Sequence, residues 1–166
     1  MNVRLSDFPQ GTQLAQDWSF TSKQYAAKVG LPANFYTKLG LVTIGDRVFW
    51  LNEGKNPNAQ LNPEVDVYTS TTQAHAAFLR VQRVQSDAMA QPSVPTALTT
   101  LTVEDERSSV SDYDDTNNVN PALAAITFRR GRYTVSVFAQ GTTRAFTLAK
   151  VGHYARLIDS RILQAR

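Results

Sequence analysis

The stretch ALAAITF (122–128), RRGR (129–132), YTVSVFA (133–139) decides how this chain is read. Two arms rich in β-branched and aromatic residues flank four residues that include Gly131. A glycine tolerates the positive backbone angle of a tight turn, so the stretch predicts a β-hairpin. Ile126 and Phe128 on one arm, with Tyr133, Val135 and Val137 on the other, alternate with Thr127, Thr134 and Ser136. That alternation predicts one apolar sheet face and one wetter face. Downstream, Gly141-Thr142-Thr143 closes the second arm. Leu148, Val151, Ala155, Ile158 and Ile162 then recur at helical spacing, with Lys150, Arg156 and Arg161 on the other side. An amphipathic helix near 145–164 is therefore expected to seal the apolar face, and its late arginines suit the helix dipole.

Working upstream, DDTNNVNP (114–121) reads as a polar loop, and RSSVSDY (107–113) and LTTLTV (98–103) as strands separated by an acidic turn. Before them, Ala74, Ala77, Phe78, Val81 and Ala88 form the apolar stripe of a helix near 72–90. Thr71-Thr72 opens it and Gln91 to Pro95 ends it, because proline cannot continue a helix. A strand around Val65–Tyr68 runs into that helix, and 53–63 reads as a loop. LVTIGDRVFWLN (41–52) is expected to be two short strands turning at Gly45-Asp46, or one bulged strand. Thr21 or Ser22 with Gln24 fits a capping box for a short helix stopped by Gly30. Pro32 fits the start of a second, closed by Gly40. Residues 1–20 read as irregular. The sum is one α+β domain over 1–166, an antiparallel β-sheet covered by amphipathic helices near 72–90 and 145–164.

Composition narrows the chemistry. A chain of 166 residues buries about two-thirds of its unfolded surface and needs no staples. With no cysteine, disulfides, thiolate metal sites and cysteine nucleophiles are excluded. The net charge of +3 is uneven: residues 104–115 carry six acidic and one basic side chain, and residues 116–166 carry one acidic and eight basic. A solvated arginine-bearing surface is the plain reading, and a phosphate-binding patch the functional one. No run of 18 apolar residues is present, so no membrane-spanning segment is expected. The opening MNVRLSDFPQG lacks the charged and apolar segments of a secretory signal, which leaves a cytoplasmic chain or one whose export signal has been removed.

His75 and His153 fall on different helices without a partner three or four residues away, so no metal and no cofactor are expected. There is no Gly-x-Ser-x-Gly elbow, phosphate loop or dinucleotide fingerprint, and Glu104 and Glu106 read as water-facing, so no enzyme activity is expected. Asp112 to Asn118 spaces oxygen ligands as a calcium loop does. However, Asn117 stands where an EF-hand needs glycine and Leu123 where it needs glutamate, and a loop of Asx turns explains the same composition. RRGRYTVSVF partly resembles the stacking strand of an RNA-recognition domain. Yet Tyr133 falls in phase with the core, only Phe138 lies on the opposite face, and Arg132 occupies the position where an aromatic is required. The candidate binding residues are thus Arg129, Arg130, Arg132 and Phe138, with Trp50 as a groove-lining aromatic.

The opening LSDFPQG, the Gly40 and Val48-Phe49-Trp50 segment, VDVYTSTTQAHAAFLRV, the TFRRGRYTVSVFA hairpin and the closing LAKVGHYARLIDSRI together resemble a loose family of bacterial exported domains. These occur as lipoproteins or sensor-like outer domains, in the broad company of PsbP-like architectures. The resemblance implies a helix-covered antiparallel sheet, an extracytoplasmic place (periplasm or cell surface) and a protein partner in the cell envelope, and it carries no catalytic residue. The lipid-bearing cysteine of a lipoprotein is missing. The expected function is a non-catalytic binding, accessory or sensor-like domain. The alternative is a basic module that binds nucleic acid or another polyanion through its arginine-rich hairpin.

Overall fold

The computed structural model describes residues 2–51, 59–88, 106–107, 111–113, 122–141 and 144–165. In chain order its elements are β1 (Gln13–Thr21), α1 (Ser22–Lys28), α2 (Phe35–Lys38), β2 (Leu41–Trp50), β3 (Gln60–Tyr68), α3 (Thr71–Ala88), β4 (Glu106–Arg107), β5 (Ser111–Tyr113), β6 (Ala122–Arg130), β7 (Tyr133–Gly141) and α4 (Arg144–Gln164). The strands form one antiparallel sheet in the order β1-β2-β3-β7-β6-β4, with β5 also paired to β6. The expected α+β architecture is the observed one. The strand expected at 98–103, the acidic turn before β4, the polar loop at 114–121 and Thr142-Thr143 lie outside the described residues.

β6 and β7 pair Ile126 with Val137 and Phe128 with Val135, so the apolar alternation becomes a single face. Val151, Tyr154, Ala155, Ile158 and Ile162 of α4 seal it completely, joined by Phe49, Leu61 and Val65 from β2 and β3. Fully burying an aliphatic or aromatic side chain contributes roughly 1.5–3 kcal/mol, which makes this layer the main source of stability. The expectation of a wetter opposite face needs correction: Thr127 and Thr134 are buried as well. α3 lies over them, and the Thr134 hydroxyl donates to the Ala74 carbonyl at 3.3 Å. A second, smaller core of Leu41, Tyr68, Ala74 and Ala77, with Tyr25 and Tyr36 against it, ties α1, α2 and α3 to this side.

Two further expectations change and one pair of alternatives is decided. Residues 1–20 are not irregular, because Gln13–Thr21 is an edge strand. Ahead of it Val3 is fully buried and Phe8 stacks on Phe49 and Tyr154 at 4.2 and 4.5 Å. Of the two readings of 41–52, the single bulged strand is the one observed: Gly45 and Asp46 pair with Ser19 and Trp18 on one side and Val65 and Glu64 on the other, and the register shifts between Leu41 and Thr43. The presumed loop 53–63 gives way at Gln60 to a strand that runs to Tyr68. α1 carries the capping box expected of Thr21 and Gln24. Pro32, by contrast, lies outside α2, which begins at Phe35. Gly40 has φ +79°, a left-handed backbone conformation that strains any residue with a Cβ, so glycine suits the point where the chain passes α3.

Candidate functional site

In an antiparallel sheet directly paired residues share a face, as do residues two apart on one strand. Register therefore places three carboxylates together on the face opposite α4. Asp46 of β2 pairs with Glu64 of β3, and Asp66 lies two residues further along β3. The smaller core closes the Tyr68 end of this strip. At the other end lie Asn62, Gln60 and Trp50, the last 44% exposed. The three acidic residues are half-buried.

Their partners differ. Asp46 is held by two amides: Asn62 Nδ2 donates to Oδ1 at 2.7 Å and Gln16 Nε2 donates to Oδ2 at 3.0 Å. Asp66 Oδ2 accepts a long bond of 3.4 Å from the Tyr68 hydroxyl, while its Oδ1 is shut off from water with no partner. Burial first, and the charge of Asp46 second, push the Glu64 carboxyl up to about 7. Burial and the neighbouring Glu64 charge raise Asp66 well above the usual carboxylate range, against the opposing pull of the Tyr68 hydroxyl. Desolvation and the same carboxylates raise the phenols of Tyr68 and Tyr25. The strip is thus an array of acceptors short of donors, and its chemistry favours taking up protons or a cation. Among the described residues no group of three or more His, Asp or Glu converges as metal ligands do.

The hairpin arginines do not act as one patch. Arg130 is turned inward: its Nε and Nη2 donate to the two carboxylate oxygens of Asp159 on α4 at 2.7 and 2.6 Å, with side-chain exposures of 3% and 12%. That placement corrects the expectation of a surface arginine, for β-strand phase carries Arg130 to the face of Ile126 and Phe128. Arg129 is half-buried and donates to the Gly131 carbonyl. Arg132 is exposed and lines a surface hollow of about 430 Å³ with Ser70 and Thr71. Phe138 and Trp50 both fall on the carboxylate face, so register brings these two candidates onto the side of Asp46, Glu64 and Asp66. His75 and His153 are exposed on separate helices. Of Asp112 to Asn118, residues 114–118 lie outside the described residues.

The acidic strip is not visible in the sequence read element by element, since Asp46 falls at a break that reads as either a turn or a bulge and Glu64 at the margin of a loop. The signal that finds it is Pro63-Glu64-Val65-Asp66-Val67, where acidic and apolar residues alternate along a strand.

No family model matches the chain, and no curated protein sequence matches it. Its fold is similar to the solved extracellular domain of PknH from Mycobacterium tuberculosis, with a TM-score of 0.54 over 96% of this chain and 93% of that one. At 9% identity the likeness is one of fold, a helix-covered antiparallel sheet. No helix among the described residues is long and apolar enough to cross a membrane.

Proposed function

We propose that this chain is a non-catalytic, extracytoplasmic binding domain, an accessory or sensor-like unit of a larger bacterial envelope assembly that engages its ligand or partner through the carboxylate face. The observation that carries the reading is that face itself. Half-buried acceptors, an orphaned Asp66 oxygen and an exposed Trp50 are arranged on a rigid sheet and held in register by a fully packed layer behind it. Polar groups on a stiff scaffold beside an aromatic are how binding surfaces combine orientation with contact area. The whole-length likeness of fold to an extracellular domain supports the compartment. The polyanion alternative is weakened because Arg130 neutralises Asp159 inside the fold. Fractionation of cells producing the tagged natural protein, followed by isolation of its partners from the envelope fraction, tests the reading. Co-isolation with an envelope assembly is expected, and residence in the cytosol alone would overturn it.

A further inference from the structure

We propose that the link between α1 and α2, with the lysines that flank it, is a docking surface for an anionic phospholipid bilayer. The proposal goes beyond the reading of the carboxylate face and uses none of its residues. Its starting point is residues 27–35, every one of them exposed. Among them Val29, Leu31 and Phe35 are 43%, 37% and 42% exposed, and Ala27, Pro32 and Ala33 add smaller apolar surface. Single exposed apolar side chains are ordinary, but a run of them on one link marks a surface that meets something. Backbone bonds hold this link in shape. The Leu31 N–H donates to the Ala26 carbonyl at 2.9 Å and the Gly30 N–H to that of Ala27 at 3.3 Å, the pair of bonds that closes a helix around a left-handed glycine. Gly30 has φ +72°, and a side chain there would project into open space. The Phe35 N–H donates to the Pro32 carbonyl at 2.8 Å, which fixes the turn into α2. The apolar side chains are thus displayed on an ordered backbone instead of being folded onto the core.

Charge selects the partner. From Trp18 to Gly45 the chain carries Lys23, Lys28 and Lys38 and no Asp, Glu or Arg. All three lysines are exposed, and none makes an ion pair among the described residues. The Lys28 ammonium lies 3.5 Å from the ring centre of Trp18, a contact that leaves its charge in place. The carboxylates of β2 and β3 lie on the sheet beneath these helices and not in the link. Protein interfaces favour arginine and deplete lysine at their cores, so surroundings whose cations are all lysine argue against a protein partner here. A bilayer suits both halves of the patch. Apolar side chains enter the boundary between headgroups and acyl chains, while lysines stretch their stems and keep their ammonium groups at the lipid phosphates. Each lysine near an anionic surface is worth about fivefold in affinity, so three together are worth about a hundredfold. A soluble polyanion would engage the lysines but gain nothing from Leu31 and Phe35.

Flotation of the purified full chain with vesicles of equal parts phosphatidylglycerol and phosphatidylcholine tests this, with vesicles of phosphatidylcholine alone and inorganic polyphosphate as comparison probes. Binding to the mixed vesicles that falls as salt rises is expected, with at least tenfold weaker binding to phosphatidylcholine alone. Leu31→Ser combined with Phe35→Ser should weaken binding to the mixed vesicles at least tenfold and leave any binding of polyphosphate unchanged. Lys23→Gln, Lys28→Gln and Lys38→Gln together should weaken vesicle binding at least tenfold and remove its salt dependence. All five positions are exposed, so the melting temperatures should match that of the native chain. Leu79→Ser, at an equally exposed apolar position on α3, is the control and should change nothing. Should the lysine variant fold poorly, the serine pair is read alone. No binding to the mixed vesicles, equal binding to phosphatidylcholine alone, unchanged affinity in the serine pair, or an equal loss from Leu79→Ser would each overturn the surface. Such a failure leaves the envelope reading and the carboxylate face standing, since both rest on other residues.

Discussion

Beneath α4 the sheet presents Phe128, Val135, Val137, Phe49 and Leu61, none of them appreciably exposed, whereas beneath α1, α2 and α3 it presents Asp46, Glu64, Asp66, Thr134 and Tyr68. Both faces are covered by helices, so burial alone does not separate them. What separates them is how each treats charge. The α4 face admits one buried ion pair, Arg130 with Asp159, matched oxygen for nitrogen in a two-pronged contact. The opposite face gathers three carboxyl groups whose donors are fewer than their oxygens, and burial raises two of them, Glu64 and Asp66, toward the protonated form. A binding surface wants that arrangement, because groups satisfied by the fold have nothing left to offer a ligand, while the closed layer behind keeps the strands in register.

The largest effect expected from breaking this contrast is at the ion pair. Asp159→Ala leaves a buried guanidinium without its partner and should destabilise the fold by about 3–5 kcal/mol in urea denaturation. Replacing both members, Arg130→Met with Asp159→Leu, should restore stability to within about 1 kcal/mol of the native chain or exceed it, since desolvation offsets most of the Coulombic gain of such a pair. A double variant as weak as Asp159→Ala would mean that this pair carries net stability.

That pair was within reach of the sequence. Asp159 is the one acidic residue of the basic last third, and it sits on the helical stripe, four after Ala155 and three before Ile162. Arg130 continues the strand phase of Ile126 and Phe128. Read together, the two positions face each other, but arginines beside a glycine turn invite the assumption that they point into water. The α4 stripe and the hairpin alternation were legible because each buries one continuous face. β1 was not, because an edge strand with Gln13, Asp17 and Ser19 exposed shows no alternation to read. The acidic strip was hidden for a related reason. Its carboxylates come from two strands, and only register, which no local pattern reports, sets Asp46 beside Glu64.

The next effect, of about 3 kcal/mol at most, separates the faces by pH. Glu64 binds its proton more tightly in the folded chain than in the unfolded one, up to about 7 against an ordinary 4.5. Its contribution is therefore fully present below 4.5 and is lost as pH rises toward 7. Glu64→Gln should flatten that limb of the stability–pH curve. On the other side, the Arg161 guanidinium holds Asp7 below the usual carboxylate value of 3.8 through bonds of 2.7 and 2.6 Å. The stability from that pair is present above 3.8 and is lost as pH falls further, so Asp7→Asn should alter only the acid limb. Thermal melts between pH 3 and 9, a range of about six units spanning both transitions, check the two signs independently. Identical limbs in both variants would show that the faces do not differ in how they hold protons.

The smallest effect tests whether the hairpin turn, which belongs to neither face, does anything with its charge. Arg132 is exposed, and its guanidinium carbon lies 5.8 Å from the centre of the Tyr133 ring, a contact worth roughly 0.5 kcal/mol at a wet surface. Arg132→Ala should move stability by no more than about 0.5 kcal/mol. Retention on a phosphate column at low salt should change only slightly. Arg130 spends its charge on Asp159, so the turn presents fewer cations to a polyanion than its sequence suggests, and each lost phosphate contact removes about one unit from the salt dependence. A steep loss of retention from this single substitution would instead make the turn a polyanion contact and shift the weight of function from the carboxylate face to the hairpin's end.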